Sequence, residues 1–192
     1  MSKIVVLGAG ISGHTAAAHL RRKLSKEHEV LVVSPNRNYQ WVPSNIWVGI
    51  GRMKSKEVIF PLEPLYKRKG IGYKQAKAIS FHPEGDSSEA KPYILVEGVF
   101  GDNLGKQEKV TYDYLINATG PKLAFDMTEG LVPETNKVYS VCTYDHAEKA
   151  SEALHKLIDH LKKSDKKSKI LIGTGHAKAT CQGAAFEYIL NV

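Results

Sequence analysis

At 192 residues, with 42% hydrophobic and 24% charged positions and a formal charge of +7, the chain has the make-up of a soluble globular protein. It is long enough for one domain and part of a second. No apolar run approaches the roughly 18 residues that cross a bilayer, and the two cysteines, Cys142 and Cys181, lie outside any paired metal spacing, which excludes a zinc module and a disulfide scaffold. The basic balance favours phosphates, acidic partners or anionic lipid surfaces, but no basic helix or aromatic-basic platform marks a nucleic-acid binder.

In chain order, residues 3 to 8 form a continuous apolar strand, Ser12 to about Leu24 carries an alanine-rich helical pattern, and Glu29 to Val33 is the next apolar strand. These make a βαβ unit and predict a parallel sheet in an α/β fold. A core strand that starts at Lys3 reads as a chain without a secretory leader. Between the first strand and helix stand Gly8, Gly10 and Gly13 at GxGxxG spacing. In that context the first glycine permits the tight turn, the second lets a backbone approach a pyrophosphate, and the third allows close helix–strand packing. The helix start then offers free N–H groups and a positive dipole end to phosphates. The acid expected about 20 residues later on a ribose is absent, and the second strand ends instead in Ser34-Pro35-Asn36.

An aromatic, Pro-containing segment follows from Tyr39 to Gly51, then a short helix around Pro61 to Lys69 and a strand around Ile71 to Ala78. Residues 79–112 alternate in short segments and read as an antiparallel β-meander inserted as a crossover. The sheet resumes at Tyr114 and ends in Ala118-Thr119-Gly120-Pro121, small residues where a cofactor passes close to backbone. Ala147 to Leu161 is an amphipathic helix, and the basic run Lys162 to Lys169 reads as a solvated loop. Lys169 to Ile172 is then expected to open a second βα unit through Gly173 and Gly175. Its third glycine position holds Lys178, and Cys181 follows at the helix start. A lone βα unit buries too little to make a domain, so the chain reads as the front part of a longer protein.

Cys181 is either a small buried hydrophobe or a reactive thiol, since a helix start beside Lys178 and His176 favours the thiolate. Cys142 has no activating neighbour in sequence and reads as structural. His14 and His176 read as packing or surface residues.

The chain resembles the amino-terminal part of the sulfide:quinone oxidoreductases, which belong to the flavoproteins with two dinucleotide-binding domains. The likeness rests on Gly8 to Gly13, on Val42-Pro43-Ser44-Asn45 followed by Trp47-Val48-Gly49, and on Asn117 to Phe125. The segments Val141-Cys142-Thr143 with Asp145-His146-Ala147, and Cys181 with Gly183, Ala185, Glu187 and Tyr188, complete it. It implies a Rossmann-like FAD-binding domain over 1–120 with the meander at about 79–112. A connection over 121–146 and the start of a truncated second, NAD-like domain over 147–192 would follow. It implies FAD with Gly8, Gly10, Ser12 and Gly13 at the pyrophosphate, and Ser34 and Asn36 near the adenosine ribose. Ala78 would lie on the adenine side, Val42, Pro43 and Ser44 near the isoalloxazine, and Thr119, Gly120 and Pro121 along the cofactor. Cys181 matches the sulfide-reacting cysteine and Cys142 an accessory one; no metal is implied.

The activity so implied is attack of sulfide on a disulfide or polysulfide bridge involving Cys181, giving polysulfide or sulfur, with electrons passing to FAD and on to a membrane quinone. The family's second essential cysteine, its quinone pocket and its membrane-binding tail lie beyond the matched residues. The fragment is therefore expected to be soluble and unable to complete turnover, and the full-length protein to be a peripheral membrane enzyme, with homo-oligomerisation compatible. A type II NADH:quinone dehydrogenase is the nearest alternative, and it needs a working second nucleotide turn. A non-catalytic flavin-binding module is the other.

Overall fold

The computed structural model describes residues 1–133, 135, 137–179 and 181–192. They form two compact units: residues 1–39 with 61–121, and residues 40–60 with 122–192. The 40–60 segment, which the sequence places inside a continuous first domain, thus groups with the later part of the chain.

The first unit is built on a six-stranded sheet. Its strands are β1 (Lys3–Leu7), β2 (Glu29–Ser34), β5 (Gly72–His82), β6 (Tyr93–Gly98), β7 (Gln107–Thr111) and β8 (Tyr114–Asn117), in the order β7-β6-β5-β2-β1-β8. Strand β1 pairs in parallel with β2 on one side and β8 on the other, and β2 pairs in parallel with the start of β5. Continuous apolar runs suit this arrangement because both faces of a parallel strand are covered. Val6, Val30 and Val32 pack with Ala17 of helix α1 (Ile11–Lys23) and with Leu62 and Tyr66 of helix α3 (Leu62–Lys69). Their neighbours Val5, Leu7, Leu31 and Val33 face the other way and meet Ala76, Ile94, Val96 and Val110 of the meander. Each such valine or leucine, fully buried, contributes about 1.5–3 kcal/mol.

The meander is continuous with the parallel sheet. β5 runs beside β2 from Gly72 to Gln75, then turns antiparallel to β6 from Ala76 to His82, with a shift in register between Ala78 and Ser80. The strand the sequence suggests around Ile71 to Ala78 and the start of the meander from residue 79 are therefore one strand. β6 pairs antiparallel with β7, and the Rossmann-like fold with its meander crossover stands as the sequence predicts.

A two-stranded ribbon, β3 (Asn38–Gln40) with β4 (Ile59–Pro61), marks where the chain passes from one unit to the other and back. The second unit holds helices α2 (Asn45–Gly49), α4 (Tyr144–Lys162) and α5 (Gln182–Ile189). Val48, Val58 and Ala147 form its small core. Gly49 is required there: a Cβ would lie 2.7 Å from Val141 Cγ1 and 3.0 Å from the Tyr188 ring. The Tyr188 hydroxyl also donates to the Gly49 carbonyl at 3.0 Å.

One expectation fails. Residues 169–172 form no strand, and Leu171 is 95% exposed. Strand backbone needs a neighbouring strand to bond, and among the described residues after 121 there is none. The basic stretch before it is exposed and irregular.

Candidate functional site

The first unit carries a glycine turn whose three glycines have different reasons to be glycine. Gly8 has φ +92°, and a Cβ on it would sit 2.2 Å from the Ala118 carbonyl oxygen. A Cβ on Gly13 would lie 2.0 Å from the Gly8 carbonyl oxygen and 3.3 Å from the Ala118 methyl. Both are close-approach positions, and both meet Ala118, which the chain fixes by an N–H to the Leu7 carbonyl at 2.8 Å. Gly10 differs: nothing lies within 4 Å of its added Cβ. It is the N-cap of α1, with no side-chain cap and no acidic residue in the first turn. The first-turn N–H groups, Ser12 among them, have no acceptor within the helix, and the positive end of the dipole faces the same space. An open approach at the middle glycine, with unclaimed donors beside it, fits a dinucleotide pyrophosphate.

On the other side of β1, Asn117 Oδ1 accepts from the Thr119 N–H at 3.2 Å and the Thr119 hydroxyl at 2.9 Å. This closes the turn that leads to Gly120, at φ +72° with open space around it, and to exposed Pro121. Ser34 is buried, and its hydroxyl oxygen accepts the Asn36 N–H at 3.3 Å. Asn36 itself is exposed. The loop is pinned from β5, where the Tyr73 hydroxyl donates to the Asn36 carbonyl at 2.6 Å and Gln75 Nε2 to the Pro35 carbonyl at 3.3 Å. Burial, then the charge of Glu63, pushes the Tyr73 phenol up to about 12, so it remains a donor at any working pH. Ala78, half-buried, sits at the register shift of β5. Ala118 stands where the sequence places small residues along a cofactor, whereas Tyr73 and Gln75 carry no sequence signal as site residues.

The second unit holds the remaining expected residues. Val42, Pro43 and Ser44 form a single 3-10 turn leading into α2, with Val42 and Pro43 exposed. The next residue, Asn45, is wholly buried, and among the described residues neither of its side-chain polar atoms has a hydrogen-bond partner. Cys142 is exposed one residue before the α4 N-cap, and its N–H donates to the Ser140 hydroxyl at 3.0 Å. Cys181 is the N-cap residue of α5 and is exposed. His176 Nδ1 accepts the Lys178 N–H at 3.0 Å, so this ring is engaged in the local turn. Where Gly10 is open, Gly175 is not: its Cβ would meet Leu131 Cδ1 at 2.8 Å. The structure thus brings Gly8, Gly10, Ser12, Gly13, Thr119 and Gly120 together beyond the carboxyl ends of β1 and β8, and holds both cysteines in the other unit.

Residues 2–178 match the family model for pyridine nucleotide-disulphide oxidoreductases. The chain belongs to that family. A sulfide-quinone reductase from Aquifex aeolicus is 27% identical over 187 residues, covering 97% of this chain and 37% of that protein. An external alternative NAD(P)H-ubiquinone oxidoreductase B4 from Arabidopsis thaliana is 32% identical over 62% of this chain and 19% of its own length. The solved sulfide:quinone oxidoreductase of Aquifex aeolicus superposes with a TM-score of 0.66 at 26% identity, covering 83% of this chain and 33% of that one. The chain therefore spans about a third or less of these relatives. The family's cofactor is FAD, and the open approach at Gly10 is what that cofactor's pyrophosphate requires.

Proposed function

We propose that the chain is the FAD-binding part of a sulfide:quinone oxidoreductase, which oxidises sulfide to polysulfide or sulfur and delivers electrons to a membrane quinone. The observation that carries this reading is the contrast between the two glycine turns. The first is an open cradle, while the second holds Lys178 at its third glycine position, Leu131 against Gly175, and an exposed cysteine at the start of the next helix. The first turn serves a dinucleotide; the second serves a thiol.

Gly10, Ser12 and Gly13 bind the pyrophosphate through backbone N–H groups, and Gly8 supplies the tight turn. Ser34 and Asn36 hold the adenosine ribose, with Ala78 on the adenine side and Thr119, Gly120 and Pro121 along the cofactor. Val42, Pro43 and Ser44 are the residues for the isoalloxazine. Bound FAD supplies a two-electron acceptor. Sulfide attacks a disulfide or polysulfide bridge that includes Cys181. An S–S bond forms to the sulfide sulfur as the bridge's own S–S bond breaks and its other sulfur leaves as thiolate. Cys142 is the accessory cysteine, and FAD would supply the two-electron oxidant that restores the bridge. Among the described residues no helix is long and apolar enough to cross a membrane.

The Arabidopsis relative favours a second reading, an NADH-oxidising quinone reductase. It requires nucleotide access at the second turn, where Lys178 and Leu131 stand. Because the chain spans only part of its relatives, the test uses the full-length, FAD-loaded protein, mixed rapidly with sulfide and separately with NADH. Bleaching by sulfide and not by NADH is expected. Bleaching by NADH alone overturns the reading in favour of the second, and bound flavin inert to both makes the chain a non-catalytic flavin module.

A further inference from the structure

We propose that the cavity between α1 and α3 is a binding site for a phosphate-bearing anion, separate from the dinucleotide cradle. The cavity has a volume of about 440 Å³, and its lining includes His14, Thr15, His19, Arg21, Arg22 and Lys69 but no carboxylate. That volume falls within the range of small-molecule sites, about 300–1,000 Å³.

Basic side chains in the last turn of a helix ordinarily complement its dipole and satisfy its last carbonyls. Both helices have them: Arg21, Arg22 and Lys23 on α1, and Lys67, Arg68 and Lys69 on α3. Arg21 does that work. Its guanidinium donates to the carbonyls of His28 at 2.7 Å and Leu24 at 3.1 Å, and also to that of Ser25. This fixes the guanidinium on the cavity wall without side-chain freedom to lose. Arg22 and Lys69 are in excess of it. Among the described residues, Arg22 bonds to the His19 ring, at 3.1 Å, and no carboxylate pairs with either Arg22 or Lys69. Two outward cations beside a fixed guanidinium, without a counter-charge, make an electrostatic well for an anion.

The other polar groups of the wall are donors as well. His14 stacks among tyrosines, with ring centroids 5.1 Å from Tyr39 and 5.6 Å from Tyr66. Its Nδ1 lies 3.2 Å from the Tyr66 hydroxyl. Burial first, then the charge of Lys69, lowers its pKa, and burial raises that of Tyr66. A neutral ring that accepts the phenol proton at Nδ1 keeps an N–H at Nε2. His19, accepting from Arg22 at Nδ1, likewise keeps its Nε2–H. A phosphate, which accepts several hydrogen bonds at once, suits such a wall better than a carboxylate; guanidinium and ammonium groups are its usual partners.

The phosphate can belong to a free phosphorylated molecule or to a phospholipid headgroup. The test is calorimetric titration of the 192-residue protein with inorganic phosphate and glycerol phosphate. Alongside it runs co-sedimentation with vesicles of phosphatidylcholine, alone or mixed equally with phosphatidylglycerol. The cradle also binds phosphate, so Arg22→Gln/Lys69→Gln and Gly10→Val are compared with the parent. Both cations are exposed, and the double variant should keep the parent's circular dichroism. Binding that weakens roughly tenfold for each charge removed, recovers in Arg22→Lys/Lys69→Arg and persists in Gly10→Val is the expected result. If the small phosphates show this dependence and the mixed vesicles do not, the ligand is a free phosphorylated molecule. If the vesicles show it, the ligand is a headgroup. Failure of every probe to bind, binding that survives the double substitution, or binding lost in Gly10→Val and retained without Arg22 and Lys69 overturns the proposal.

Discussion

The three cradle glycines look alike in sequence and separate sharply in structure. Gly13→Ala would drive a methyl to 2.0 Å from the Gly8 carbonyl oxygen, and overpacking of this kind costs about 2–3 kcal/mol. Gly10→Val meets no protein atom near its Cβ, so it should fold with little loss yet fail to take up FAD, because the side chain occupies the phosphate's approach. Chemical denaturation with flavin absorbance on the same samples checks both. A Gly10→Val protein that retains stoichiometric FAD would remove this turn from the cofactor site. The spacing alone was enough to mark all three positions, since glycine there answers a backbone requirement. It could not show that Ala118 closes against two of them, because that contact joins residues more than a hundred positions apart. Nor could it show that the Ser34 hydroxyl is engaged with Asn36 in its own turn.

Among the elements, the β5–β6 hairpin carries a clasp on its exposed end. Asp86 accepts from Lys109 Nζ at 2.8 and 3.0 Å, from the Tyr93 hydroxyl at 2.5 Å, and from the N–H groups of Ser88 and Glu89 at 2.8 and 2.9 Å. The Lys109 bond first, then Tyr93 and Ser88, holds the carboxyl well below its ordinary value of 3.8. A depressed carboxylate stabilises the fold above its unfolded pKa and loses that contribution as pH falls through the folded one. Protection of the Ser88 and Glu89 amides from hydrogen exchange should therefore fade only in acid below about 3.8, and sooner at high salt because the cluster is solvent-facing. Asp86→Asn should open these amides near neutral pH and flatten the acid dependence; unchanged protection would mean the clasp is idle. The elements themselves were readable wherever periodicity met a partner. The βαβ unit, the meander and α4 follow from apolar patterns that the sheet and core then satisfy. Lys169 to Ile172 has the same apolar pattern and no strand, since a strand is a property of two segments and the sequence of one cannot supply its neighbour.

At the scale of the whole molecule, the cradle belongs to one compact unit and both cysteines to the other, so cofactor retention and sulfur chemistry should be separable by mutation. Cys181→Ser leaves Gly8, Gly10, Gly13, Thr119 and Gly120 untouched, and its hydroxyl is nearly the size of the thiol. Serine is also a strong N-cap residue, so α5 keeps its start. FAD uptake should therefore match the parent. A hydroxyl cannot form a persulfide, however, and sulfide-dependent bleaching of the flavin should be lost. Cys142→Ser should slow that bleaching less, since Cys142 is proposed only as an accessory thiol, outside the helix that Cys181 caps. Stopped-flow bleaching of the full-length protein at matched flavin content is the measurement. Parent rates in Cys181→Ser would return this cysteine to a purely structural place at the head of α5. A greater loss in Cys142→Ser than in Cys181→Ser would exchange the roles proposed for the two thiols.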